Sequence, residues 1–292
     1  MSRNKLALVI LLLIGLLLLL GFFRKDDEIK PAKPTLQSTV EQAMTGSKGR
    51  YGIVIKNFSN GESYSFNEHQ IFEAGSLYKL WVAATVFQQI KGGLLKEDEL
   101  LSEDIDELNQ IFNIASESAE FKTGSVNFTV SQALKQMITI SHNYAALTLI
   151  KTVKRSNVAK FLEKADFKES FLGDPPKSTA YDIALFLEKL YQGKLNLIDV
   201  DSSQKIIELL KEQKLNDGLP KYLPSQIPVA HKTADIGLFK HDAGIIYSPI
   251  GDYLIVVLSE SDYPPGAQER IALLSQAVFD YFNSLEKSKK KG

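Results

Sequence analysis

The hydrophobic pattern sets an entirely apolar first segment apart from the rest of the chain. Residues Leu6–Phe23 form a run of 18 positions without a polar side chain. As a helix, this run would extend about 27 Å, close to the ~30 Å of a bilayer core. No small-x-small cleavage site ends the run, and no cysteine offers a site for lipid attachment. We therefore predict an uncleaved transmembrane signal-anchor over residues 1–24.

A polar segment rich in proline follows and predicts a linker over residues 25–34. Lys and Arg residues flank the apolar run on both sides, so the positive-inside rule leaves its orientation open.

Strand patterns lie near both ends of the remaining chain. Tyr51–Phe58 and Glu62–Asn67 flank the turn Ser59–Gly61, as in a hairpin. Short connections imply antiparallel neighbours, so we expect a five-stranded antiparallel sheet built from both chain ends. The three later strands are predicted at Pro228–Thr233, His241–Tyr247 and Asp252–Ser259.

Helical periodicity prevails between the two groups of strands. The first helix, Ser76–Ile90, ends at two glycines, and a last helix, Ala267–Leu285, closes the chain. The pattern predicts an α+β fold, an α/β sandwich of residues 35–292, in which helices flank the sheet and an all-helical region is inserted between its strands. The inserted helices are predicted at Val130–Met137, Asn143–Val153, Val158–Ala165, Thr179–Gln192 and Ser202–Lys211.

Composition narrows the possible chemistry. The chain has 292 residues and a formal net charge of −1, so no basic surplus favours nucleic acid as a partner. The absence of cysteine excludes disulfides, cysteine-ligated zinc and a cysteine nucleophile. No cluster of His, Asp and Glu has the spacing of metal ligands, so we expect neither a metal nor another cofactor. We also expect a monomer.

Ser76 and Lys79 form a Ser-x-x-Lys pattern at the start of the first helix. This spacing brings Ser Oγ and Lys Nζ to one helix face, where the helix dipole and desolvation disfavour the ammonium form. A neutral lysine can then deprotonate the serine. The same spacing occurs four more times, but only Ser76 follows two strands and a glycine and opens an apolar helix. A helix-capping role for Ser76 is the alternative.

Two further segments carry candidate polar groups. The turn Ser141–Asn143 lies between apolar helices and could place a hydroxyl and an amide in a cleft, or it could simply cap a helix. His231–Asp235 contains Lys-Thr on a predicted strand. Lys122–Gly124 matches Lys-Thr-Gly more closely, but it precedes Ser141 in a polar loop, and we predict a turn there.

In this order, the segments resemble the class A β-lactamase and penicillin-binding protein superfamily. The resemblance covers about Thr35 to Lys287. It includes the surroundings of the candidate residues, namely Ile138–Ala146, Val229–Thr233 and Lys240–Tyr247. Gly173–Pro175 and the helix after it look like the exit from the family's Ω-loop.

The resemblance implies four catalytic residues. Ser76 would be the acylated nucleophile and Lys79 its activating base. Ser141 would pass a proton to the leaving nitrogen. Lys232 would hold the Ser141 hydroxyl and attract a substrate carboxylate.

The resemblance also implies substrate-binding groups. Thr233 would donate a hydrogen bond to the substrate carboxylate, and Asn143 would bind the amide of the acyl side chain. The backbone N–H groups of Ser76 and Asp235 would form the oxyanion hole.

The loop that precedes Asp174 departs from the family pattern. Family β-lactamases carry a Glu there, in a Glu-x-x-Leu-Asn setting, that activates the deacylating water. Only 33 residues separate Ser141 from Asp174, which is short for that loop. Glu169 keeps Glu-x-x-Leu but lacks the Asn, so it is either the deacylating base or an exposed loop acid.

Smaller departures surround the candidate site. Ala234 replaces a glycine and is expected to add a methyl group where the substrate lies. His142 replaces an Asp and either tunes the site or caps a helix. Lys240 and His241 either help to bind a carboxylate or are solvated strand ends, and His69 is expected at the surface.

Three functions follow as expectations. The first is a serine hydrolase anchored in the cell membrane by a single span, with an extracytoplasmic domain that is acylated by β-lactams and hydrolyses them, either rapidly or slowly. The second is a D,D-peptidase that acts on the D-Ala-D-Ala peptides of peptidoglycan. The third is a sensor that binds β-lactams without hydrolysis. The short loop favours the second and third, whereas the overall class A pattern favours the first.

Overall fold

The computed structural model describes residues 33–289 of the chain. Five strands form a central antiparallel sheet in the order β2-β1-β9-β8-β7. This confirms the prediction of one sheet built from early and late strands, with strand ends shifted by up to three residues. The strands are β1 (Arg50–Asn57), β2 (Ser63–Phe66), β3 (Phe72–Glu73), β4 (Leu100–Asp104), β5 (Ser125–Thr129), β6 (Lys177–Ser178), β7 (Val229–Ile236), β8 (Phe239–Ile246) and β9 (Tyr253–Glu260).

Helices cover the sheet and fill most of the inserted region. They are α1 (Leu36–Met44), α2 (Tyr78–Lys91), α3 (Ile105–Ile111), α4 (Val130–Thr139), α5 (Asn143–Val153), α6 (Arg155–Lys164), α7 (Ala180–Tyr191), α8 (Val200–Lys211) and α9 (Pro264–Lys289). The sequence pattern did not predict α1 or α3. Helix α1 buries only Leu36 and Val40, so its apolar periodicity is weak, and its capping box uses Ser38 instead of an acid or amide.

The inserted region is not entirely helical, which corrects the prediction. Strand β4 pairs with β5, and β3 pairs with β6. Strands β3 and β6 have two residues each, too few to show alternation in the sequence. The β3–β6 pair still matters for the site, because β3 leads directly to Ser76.

Each face of the sheet has its own hydrophobic core. Along β9, Val256 and Leu258 pack on the same side as α2, whereas Ile255 and Val257 pack on the side of α1 and α9. Side chains alternate between the two faces of a strand, so a strand covered on both faces is a continuous apolar run. Thr35 and the residues after it form one compact unit, an α/β sandwich as predicted.

Within residues 33–289, no helix is both long and apolar enough to cross a bilayer. The predicted signal-anchor over residues 1–24 and most of the linker over residues 25–34 lie outside the described residues.

Candidate active site

Ser76 lies on a short 3₁₀ turn, Gly75–Leu77, between β3 and α2. The sequence placed it in the first turn of an α-helix, but α2 begins only at Tyr78. Gly75 has a φ of 47°, in the left-handed region, and a Cβ atom there would lie 3.0 Å from the Cβ of Ala234. Glycine therefore lets the turn that carries Ser76 approach β7 closely.

Lys79 follows one helical turn after Ser76 and is fully buried. Its Nζ atom lies 2.6 Å from the Ser141 carbonyl oxygen, 3.0 Å from the Ser141 hydroxyl and 2.9 Å from Oδ1 of Asn143. Burial lowers the pKa of Lys79 well below its ordinary value, and the positive charge of Lys232 lowers it further. A neutral amine at this position can accept a proton.

The Ser141 hydroxyl bridges the two lysines. Besides its contact with Lys79, it accepts a hydrogen bond from Nζ of Lys232 at 3.0 Å. Ser141 has a φ of 59°, a left-handed conformation that is uncommon for serine and is often found at functional sites. The next residue, His142, caps α5 by accepting the Ala145 N–H at 3.2 Å. The segment Ser141–Asn143 therefore both caps a helix and contributes to the site.

Lys232 is buried on β7. Its Nζ atom also donates to the carbonyl oxygen of Thr233, at 2.9 Å. Burial lowers the pKa of Lys232 to about 7, and the negative charge of Asp242 opposes this shift. Near neutral pH, Lys232 is thus divided between its charged and neutral forms.

Four of the predicted site residues meet at one place. The distances above join Lys79, Ser141, Asn143 and Lys232, and Ser76 is one helical turn from Lys79. Thr233 and Asp235 follow Lys232 on β7 and line a cavity of about 140 Å³ together with Lys240. Asp235 is exposed and Thr233 is half-buried.

Glu169 does not join this group. Its carboxylate accepts a hydrogen bond from the Thr179 hydroxyl at 2.7 Å and lies 3.0 Å from Nδ1 of His69, which is at the surface as predicted. Among the described residues, no carboxylate lies within hydrogen-bond distance of Lys79 Nζ. These contacts agree with the alternative, that of a partly exposed loop acid.

The methyl group of Ala234 is buried against Gly75, and Ala234 also lines the cavity beside Thr233. One further expectation needs correction. His241 of β8 is buried and both of its ring nitrogens are hydrogen-bonded, to Glu73 and Ser259, so it is not a solvated strand end. Lys240 forms an ion pair with Asp235.

The sequence analysis missed two acids near the site. Glu120 accepts a hydrogen bond from Nδ2 of Asn143 at 3.3 Å. No sequence pattern in the polar loop around Glu120 identifies it as a functional residue. Asp242 is buried behind Lys232 and lies 2.8 Å from Nδ1 of His231. An acid within an apolar strand was a signal that could have found Asp242.

The family comparison agrees with this geometry. A model of the β-lactamase enzyme family matches residues 35–282. No curated protein matches the sequence of this chain.

Solved structures share the fold at low sequence identity. PBP-A is 21% identical, with a TM-score of 0.73 over 85% of this chain and 96% of the other. A β-lactamase from Sphaerobacter thermophilus is 20% identical, with the same TM-score and coverage. A PBP-A mutant solved as an acyl-enzyme complex with penicillin G is 20% identical, with a TM-score of 0.72 over 85% of this chain and 96% of the other. At this identity, the likeness concerns the fold alone.

Proposed function

The chain belongs to the β-lactamase enzyme family and is a serine hydrolase of the β-lactamase type, and from this premise we propose that Ser76 is its nucleophile and that its acyl-enzyme is long-lived. In this proposal the chain is a penicillin-binding D,D-peptidase. β-Lactams acylate it, and D-Ala-D-Ala peptides are its substrates.

The Lys79–Ser141–Lys232 network supports acylation. Neutral Lys79 takes the proton as Ser76 Oγ attacks the carbonyl carbon. Ser141 lies within hydrogen-bond distance of Lys79, so its hydroxyl can pass a proton to the nitrogen that leaves when the C–N bond breaks. Lys232 orients that hydroxyl and, in its charged form, attracts a substrate carboxylate.

The groups around Lys79 are the observation that supports slow deacylation. Rapid hydrolysis of an ester acyl-enzyme needs a base for the attacking water. Among the described residues, Nζ of Lys79 is hydrogen-bonded only to oxygen atoms of Ser141 and Asn143, none of which is a carboxylate. The Glu169 carboxylate is hydrogen-bonded to Thr179 and His69 instead. A PBP-A mutant of the same fold forms an acyl-enzyme complex with penicillin G, which supports acylation of this chain by a β-lactam.

β-Lactam hydrolysis is the second candidate, favoured by the match to the β-lactamase family model. We also propose that Leu6–Phe23 anchors the chain in the cell membrane, with the domain outside the cytoplasm. The apolarity of that run supports this placement.

One experiment separates these functions. The full chain is mixed with penicillin G and its intact mass is followed over time, beside Ser76→Ala as the control. A lasting adduct, together with release of D-Ala from a pentapeptide, supports the peptidase. A transient adduct with released product indicates a β-lactamase, and a lasting adduct without peptide cleavage indicates a sensor. An adduct that survives Ser76→Ala refutes the nucleophile assignment.

A further inference from the structure

The cavity beside Thr233 is where a substrate carboxylate would bind under the proposed function. Thr233 and Asp235 of β7, Lys240 of β8 and Gln268 of α9 all line it. Its volume, about 140 Å³, suits a small group such as a carboxylate with its hydration.

The charges in this cavity are unusual for an anion site. Asp217, Asp235 and Asp242 contribute three carboxylates to its lining, against one ammonium group from Lys240. Asp242 is held in place by His231 and by the Leu219 N–H. The lining of this cavity therefore adds little positive charge to the attraction that Lys232 exerts on a carboxylate.

The ammonium group of Lys240 is already engaged. Asp235 and Lys240 lie directly opposite each other in the β7–β8 pairing, so the strand register itself brings them together. They form an ion pair in which the Lys240 side chain is 14% exposed and that of Asp235 is 67% exposed. A substrate carboxylate has to compete with Asp235 for this cation.

We propose that Asp235 is a specificity-determining residue, whose carboxylate holds Lys240 and so lowers the preference for acyl donors that carry a carboxylate, which Lys232 still attracts. The inference rests on the proposed function, because it takes Ser76 as the acylated residue. Under the proposed function the backbone N–H of Asp235 contributes to the oxyanion hole, and only the side chain acts on specificity. Removal of the negative charge would release Lys240 for the substrate.

The test compares penicillin G with its uncharged methyl ester. The second-order rate constant of acylation is measured on the full chain by intact mass, for the wild type and for Asp235→Asn. Asp217→Asn is the matched control, since it removes a negative charge from the same cavity without breaking the ion pair. The double variant Asp235→Asn/Lys240→Gln tests whether any gain depends on the lysine.

We expect Asp235→Asn to raise acylation by penicillin G about twofold to fivefold, as for a partly exposed ion pair. The rate with the ester should rise less than the rate with penicillin G in Asp235→Asn. Asp217→Asn should raise the penicillin G rate less than Asp235→Asn does, and the double variant should lose the gain. An unchanged rate with penicillin G, or an equal gain with the ester or in Asp217→Asn, overturns the inference while leaving Ser76 in its role. Absence of any Ser76-dependent adduct on the wild type refutes the proposed function, and this inference with it.

Discussion

Nε2 of His241 lies 2.8 Å from the carbonyl oxygen of Glu73, three residues before Ser76. The other ring nitrogen, Nδ1, accepts the Ser259 N–H at 3.0 Å, so the proton must be on Nε2. One buried ring therefore ties β3, which leads to the nucleophile, to the central strands β8 and β9. Burial lowers the pKa of His241, which keeps the ring neutral and preserves both hydrogen bonds.

Replacement of His241 should slow acylation through the position of Ser76. His241→Phe removes both hydrogen bonds while keeping an aromatic ring, and we expect acylation to fall about tenfold to a hundredfold, as for small displacements of reacting groups. His241→Gln, whose amide can donate to Glu73, should recover part of the rate. Acylation rate constants and urea unfolding midpoints are measured together.

The control for this prediction is His69→Phe, at an exposed ring that contacts Glu169 and makes no hydrogen bond to Glu73 or Ser259. A His241→Phe variant that loses stability but acylates at the wild-type rate would show that the ring serves folding only.

Gly75 should not tolerate a side chain. Alanine there would keep a φ of 47° and place its Cβ 3.0 Å from Ala234 Cβ and 3.2 Å from Ile236 Cγ2. We expect Gly75→Ala to lower the free energy of unfolding by about 1–3 kcal/mol and to slow acylation. Adding Ala234→Gly removes one of the two contacts, so it should restore only part of both quantities. Full restoration would mean that φ strain is negligible at this turn.

Much of this architecture could be predicted because its signals are local. Apolar runs such as Tyr253–Glu260 identify buried strands, and Asn143–Val153 matches its predicted helix at both ends. The association of Lys79, Ser141 and Lys232 followed from the family resemblance, and the distances agree with it.

Contacts between distant segments were not predictable in the same way. The pair of Glu169 with His69 joins positions 100 residues apart, and no periodicity encodes it. His241 is similar, because a polar residue at the start of an apolar strand suggests exposure unless its partners are known. Such residues are buried only because tertiary contacts satisfy their polar atoms.

Glu169→Gln should leave deacylation within about twofold of the wild type, since its carboxylate contacts Thr179 and His69 and not Lys79. The measurement is the decay of the penicillin G adduct by intact mass after excess antibiotic is removed. Removal of a general base typically costs about a hundredfold or more. A decay slowed to that extent would restore Glu169 as the deacylating base.

Acylation by carboxylate substrates should decline as the pH rises through about 7. The pKa of Lys232 in the free protein is lowered to about 7 by burial, so its positive charge is lost above that pH. The rate constant for penicillin G should therefore show a descending limb there. Lys232→Arg, which stays charged, should extend the plateau to higher pH. The penicillin G methyl ester, which gains nothing from the charge, should lack the limb, and an identical limb for the ester would assign it to another group.

The free energy of unfolding should rise with pH above 7 because of Lys232. The pKa of Lys232 is about 7 in the folded protein and 10.5 ordinarily, so between these values the unfolded chain holds a proton that the folded one lacks. The free energy of unfolding then increases with pH by at most ~1.4 kcal/mol per unit from this group, and below pH 7 its slope vanishes. Lys232→Met should reduce this slope, measured by urea unfolding at pH 7, 8 and 9. Part of the slope should remain, because burial lowers the pKa of Lys79 as well. The control, Lys135→Met at an exposed position, should keep the full slope, and an equal loss in both variants would contradict the assignment to Lys232.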